Sequence, residues 1–144
     1  MWSPDLLVVE RLHVLQLLIW GASSFLLGAG VMVALRVQRA RAPLAVWFAG
    51  TMAVWGVAEC GFALLRLRGL TERDFASALH LMAQVRLATI GDAWLAAVAT
   101  VVIWVGVALV KRLDLTGVGM ALVAHGGVLF VLDRLFLARL AAGA

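Results

Sequence analysis

Hydrophobic residues fall into four long runs separated by short clusters rich in arginine. The first run extends from about Val14 to Val33 and stops at Arg36, Arg39 and Arg41; the second extends from about Leu44 to Leu65 and stops at Arg66, Arg68 and Gly69. Beyond Arg86 the third is apolar all round to Val110 and closes on Lys111 and Arg112, and the fourth runs from Leu115 to about Leu132. Each is close to the roughly 20 apolar residues that carry a helix across a bilayer. In hydrocarbon every backbone N–H and C=O must be satisfied within its own segment, which selects helices. The pattern therefore predicts four membrane-spanning helices. Pro43 suits a first helical position, where its missing N–H costs nothing, and Asp114 to Gly119 is expected to turn tightly into the fourth span.

A different pattern precedes the third run. From Glu72 to Arg86, polar Arg73, Ser77, His80 and Gln84 take one helical face and Phe75, Leu79 and Met82 another. This predicts an amphipathic extension leading into the third span, lying at the interface or protruding from it. Thr71 with Asp74 three residues later has the form of a capping box, and Gly91 is the expected bend between the two parts.

Composition agrees with this class. The 144 residues are 65% hydrophobic and 14% charged, with mean hydropathy +1.05, against about 25% charged in soluble chains. The expected fold is an all-α membrane protein, a single four-transmembrane-helix bundle over residues 1–144 with no room for a soluble domain. The net charge of +4 does not indicate nucleic acid, because the twelve lysines and arginines sit mostly at the ends of the apolar runs, as topology anchors and headgroup contacts. A single cysteine, Cys60, excludes an internal disulfide and paired-thiol redox chemistry. The N-terminal stretch lacks a basic n-region, so the first span is expected to be retained.

Four spans place both termini on one side, side A, with the loop from Arg66 to Asp74; the other two loops lie on side B. Side A collects seven basic residues (Arg11, Arg66, Arg68, Arg73, Arg86, Arg134 and Arg139) against five on side B, a small excess that favours cytoplasmic termini. Trp2 and Trp94 fall near side A and Trp47 and Trp104 near side B, as in aromatic belts. Trp20 and Trp55 lie deeper, each four residues from a polar group, Gln16 and Glu59, which their indoles are expected to satisfy.

At about 1.5 Å per residue, Glu10, His13, Glu59, Arg86, Asp92, Asp133 and Arg134 all fall in the side A half, while the side B half is Leu, Val, Ala, Gly and Trp. An intramembrane charge costs at least a few kcal/mol unless paired or wetted. The layer should therefore face inward and compensate itself, Glu10, Glu59, Asp92 and Asp133 against Arg11, Arg86 and Arg134. It is either a structural network tying the helices together or a pocket open to side A with a dry floor.

Glu59, between Gly56 and Gly61, should face another helix, as a proton-titrating carboxylate or as a partner of Arg86 or a tryptophan. His125 lies about 15 Å from the span-four turn, beside Gly126 and Gly127, which permit close helix approach; it is a hydrogen-bonding residue or a ligand or proton carrier. Asp133 is two turns further and rotated by about 80°, so the two should not touch. His13 opens a stripe with Gln16, Trp20 and Ser23 or Ser24 that should face the bundle. His80 is expected on the solvated face. Gly117-x-x-x-Ala121, Ala49-x-x-x-Ala53 and Ala93-x-x-x-Ala97 offer close-packing faces within the bundle or between protomers.

No catalytic set, cofactor site or metal site is expected. Bis-histidine haem needs two ligands at matched depth, retinal needs a lysine within a span, and neither a phosphate loop nor zinc spacing is present.

Gly117-x-Gly119, His125-Gly126 and Leu129-Phe130-x-x-Asp133, with Asp92 in GDAWL and WGASSFLLGAG from Trp20 to Gly30, resemble a family of small bacterial four-helix membrane proteins carrying a domain of unknown function. The resemblance implies four spans and a bacterial cytoplasmic membrane; in that family a glutamine often stands at the position of His125. The expected function is that of a non-enzymatic integral membrane protein, oligomeric or part of a larger membrane complex. Its polar layer would serve helix packing and the binding of a small ligand, a lipid or a partner helix. The alternative is a small proton-coupled transporter or channel with Glu59 as carrier and His125 as relay; a redox subunit is a third class.

Overall fold

The structure, a computed structural model, describes residues 4–71 and 74–142. Trp2, Glu72, Arg73 and the side chain of Phe75 lie outside the described residues. The four apolar runs form four helices: α1 (Pro4–Val37), α2 (Pro43–Arg68), α3 (Phe75–Trp104, continued by a π-helical turn Val105–Leu109) and α4 (Leu113–Ala142). Each is long and apolar enough to cross a membrane, and no strand occurs among the described residues.

Three helices outrun their apolar cores. With 34 residues, α1 is about 51 Å long, against roughly 30 Å of hydrocarbon, whereas α2 has 26. On side A, α1, α3 and α4 continue past the end of α2 and enclose Leu81, Val85 and Phe136, with Val9, Leu137 and Leu140 packed around them. This is the expected extension, with its faces reassigned. The buried stripe is Ala78, Leu81 and Val85, while Leu79 is 46% exposed. Positions 78, 81, 85 and 89 recur with helical spacing, and that row meets α4.

Helix ends also differ from expectation. Asp74 is itself the N-cap, its Oδ1 accepting from the Ser77 N–H at 2.9 Å, so the helix begins at Phe75 and Thr71 lies outside it. The side-chain bond with Ser77, followed by the Ser77 backbone N–H, holds the Asp74 carboxyl below its usual range. The chain passes through Gly91 without interruption. Asp114 sits in the first turn of α4, where a carboxylate suits the helix dipole, and it binds Arg112. The turn falls instead at Val110–Arg112, closed by the Arg112 N–H donating to Gly106 O at 2.7 Å, with Lys111 at φ 49°. Arg39 takes the same left-handed conformation at φ 50° in the other side B turn, where Arg39 N–H and Ala40 N–H bind Arg36 O and Leu35 O.

In space the helices are ordered α1, α2, α4, α3, with α1 also touching α4; among the described residues α3 packs on α4 alone. Small residues allow this spacing. A Cβ at Gly56 would lie 2.5 Å from Phe25 N and 2.6 Å from Gly21 O, and one at Gly28 would lie 2.6 Å from Ala53 N. A Cβ at Gly117 would collide with the Leu44 carbonyl, and one at Gly126 would lie 2.8 Å from Asp92 O. Of the expected close-packing faces, Gly117 and Ala121 are buried, as is Ala49, but Ala93 and Ala97 face outward. Gly127 has nothing within 4 Å of its would-be Cβ, so only Gly126 of that pair serves helix approach.

Candidate functional site

The polar residues converge as two histidine–carboxylate pairs at different depths, joined by a cleft. Counted from the side B helix ends, His125 lies about 18 Å up α4, Glu59 about 24 Å up α2, Asp133 about 30 Å and His13 about 36 Å.

His125 is fully buried. Its Nδ1 accepts from Trp20 Nε1–H at 3.2 Å and lies 3.2 Å from Glu59 Oε1. The Trp20 ring stands edge-on at 5.5 Å and Trp55 lies at 6.2 Å. One nitrogen thus faces a donor and an acceptor at equal distance. A bare Nδ1 accepts the indole N–H hydrogen bond; an Nδ1 carrying hydrogen would instead donate to Glu59 and release the indole. The contact with Glu59 is not an aligned hydrogen bond, and Nε2 has no hydrogen-bond partner among the described residues.

The second pair forms where α1 and α4 meet. His13 Nε2 lies 3.2 Å from Asp133 Oδ1, and the imidazole stacks on Phe136 at 4.4 Å. Below it, Ser24 is fully buried, and its hydroxyl has no partner among the described residues. Glu10, His13 and Ser24 are buried along one stripe of α1, the face that the sequence predicts. Its detail differs, because Gln16 accepts from Arg139 at 3.5 Å, which leaves the Trp20 indole to His125.

Between the pairs, α2 and α3 stand apart over α4 and leave a cleft of about 170 Å³ lined by Leu17, Glu59, Phe62, Arg66, Ala88, Asp92, Leu129 and Asp133. Three carboxylates from three helices face one cavity. Asp92 makes no hydrogen bond or ion pair among the described residues, whereas Glu59 and Asp133 each have a histidine.

The expected compensating arginines are elsewhere. Arg11, Arg86 and Arg134 are exposed, and the last two line the outer surface of α3 and α4, so Glu59 is paired with His125 and not with Arg86. The cation that reaches the cleft is Arg66, half-buried, with its guanidinium 4.9 Å above the Phe62 ring. It reads in the sequence as a chain-end anchor, yet Glu59, Phe62 and Arg66 follow the i, i+3, i+7 spacing of one helical face. His125 and Asp133 do not pair, each having a different partner. His80 is exposed beside Gln84 at 3.0 Å. Among the described residues no three His, Cys, Asp or Glu side chains are grouped to hold a metal ion.

No family model, curated protein or solved structure matches this chain.

Proposed function

We propose that this chain is a non-enzymatic multi-pass protein of a bacterial cytoplasmic membrane, with cytoplasmic termini, whose cleft binds a small ligand carrying a positively charged nitrogen. The membrane assignment draws on four apolar helices and on the family resemblance, and the orientation on the excess of basic residues at side A. One observation carries the ligand reading: Asp92 turns into the cleft with no cation of its own, beside two carboxylates that have histidines. A carboxylate at this depth is costly unless it is paired or wetted, and a bound ammonium group supplies the pair. Arg66 on the facing wall would hold an acidic end of the same molecule. The volume is close to that of an engineered cavity of about 150 Å³ that takes benzene, so the ligand is small.

Thermal unfolding of the purified protein with a panel of small primary and quaternary amines tests this. At least one amine should stabilise the parent, Asp92→Asn should abolish the shift, and Asp92→Glu should keep part of it. If no amine shifts the parent, or if the Asn variant responds equally, the ligand reading fails.

A second reading, proton-coupled transport, is favoured by the shared Nδ1 of His125, where moving one proton changes both partners. It requires a polar route to side B. Proton flux in proteoliposomes that disappears in Glu59→Gln would put it first.

A further inference from the structure

The outer surface of α3 and α4 holds a second feature, unrelated to the cleft. Two cavities, of about 410 and 450 Å³, share Thr89, Ile90 and Arg134 and so form one continuous furrow between the helices. Arg86 and Arg134 stand at its side A end. Below them the furrow is apolar, floored by Ala93 and Ala97 and walled by Trp94 and Phe130.

Charge and depth together specify an occupant. Counted from the side B helix ends, Arg134 and Arg86 lie about 32 and 35 Å up, roughly one hydrocarbon thickness, which is headgroup level. Among the described residues neither arginine has an ion-pair partner, and no carboxylate lines either cavity. Asp133, the neighbour of Arg134, turns the other way to His13, and Asp92 opens into the cleft on the α2 side. Two unopposed guanidinium groups above a furrow of apolar side chains match a phosphate joined to an acyl chain. Free phosphate would leave the furrow unfilled, and a zwitterionic headgroup would bring its own cation against the arginines.

We propose that this furrow is a binding site for an anionic phospholipid, with the headgroup phosphate on Arg86 and Arg134 and one acyl chain laid along Ala93 and Ala97. It rests on the chain being in a bilayer but not on the ligand proposed for the cleft, whose failure would leave it untouched.

Tryptophan quenching by brominated lipid provides the test, because Trp94 lines the furrow and is 67% exposed. The protein is placed in phosphatidylcholine vesicles containing a rising fraction of either brominated phosphatidylglycerol or brominated phosphatidylcholine. Quenching at low fractions should be greater with phosphatidylglycerol, and Trp94→Phe should remove most of that excess. Arg86→Gln with Arg134→Gln should weaken the preferred association by about thirty-fold, the attraction of two basic residues near an anionic surface. Both arginines are exposed, so the variant should keep its helicity; if it does not, Ala93→Leu with Ala97→Leu fills the furrow and should also lose the excess. Equal quenching by the two lipids in the parent overturns the proposal, as does an excess that survives both double variants. A lipid-independent crosslink between two copies through Ala97→Cys would overturn it too, by assigning the furrow to a second chain.

Discussion

The two ends of the bundle solve the packing of helices in opposite ways. Towards side B, backbone meets backbone: Gly28 lies against Ala49 and Ala53, Gly117 against Leu44 and Phe48, Gly119 against Ala99 and Ile103, and Gly106 against Thr116. Towards side A, glycine approaches continue at Gly21, Gly56 and Gly126 as far as the level of His125 and Glu59; beyond them helices are held apart by side chains, and the spaces contain the His13–Asp133 pair and a cleft with three carboxylates. Glycine contacts gain van der Waals attraction by excluding everything else, so where Gly28, Gly117 and Gly119 meet their neighbours there is no room for water or an ion. Polar pairs need volume, and with it comes the space for a ligand. We therefore propose a cleft whose mouth faces side A and whose floor is the glycine-packed region below it.

The largest effect should come from breaking a polar pair. His125→Leu leaves the Glu59 carboxyl and the Trp20 indole without their partner, and should cost about 2–6 kcal/mol in reversible unfolding, at about 1–3 kcal/mol for each buried polar group left unsatisfied. His125→Leu with Glu59→Leu should recover most of it. If the single variant is neutral, the pair does not hold the upper half together.

Glycine substitutions should be smaller and opposite in sign at the two kinds of position. Gly28→Ala puts a methyl group 2.6 Å from Ala53 N and should cost about 1–3 kcal/mol by overpacking. Gly127→Ala meets nothing within 4 Å and should stabilise α4 by up to about 1 kcal/mol through helix propensity. Equal effects in the same assay would remove the distinction between a zipped floor and an open surface.

The smallest effect belongs to the exposed start of α3. Because Ser77 lowers the Asp74 carboxyl from its ordinary 3.8, the cap's contribution is fully present above that value and is lost as pH falls through the lower folded one. Asp74→Ala should therefore unfold slightly sooner than the parent at neutral pH, and the two should converge in strong acid. A gap that persists in strong acid would contradict the charged cap.

Much of this contrast is legible in the sequence, because depth is a matter of counting residues along a helix. The inward stripe of α1 through Glu10, His13 and Ser24, the inward Glu59 and the separation of His125 from Asp133 all follow from spacing. Rotation defeats counting for the arginines. Arg86 follows Val85 and Arg134 follows Asp133 at equal depth, but each is turned by about 100° from a buried neighbour onto the outer surface. Arg66 is the converse, a terminal residue brought into the cleft because it shares a face with Glu59. The Trp20–His125 bond joins positions 105 apart, and nothing local announces it; Gln16, the nearer acceptor, is taken by Arg139.

The mouth and floor are tested most directly by thiol accessibility in sealed membrane vesicles, in a Cys60→Ala background. Single cysteines at Ala88 in the cleft and at Thr116 and Ala121 in the floor are exposed to a membrane-impermeant maleimide from each side in turn. Ala88→Cys should react from the side bearing the termini and from that side alone, and Thr116→Cys and Ala121→Cys from neither. Modification of the floor positions in the folded protein, or of Ala88→Cys from the opposite side, would contradict a cleft closed at its base.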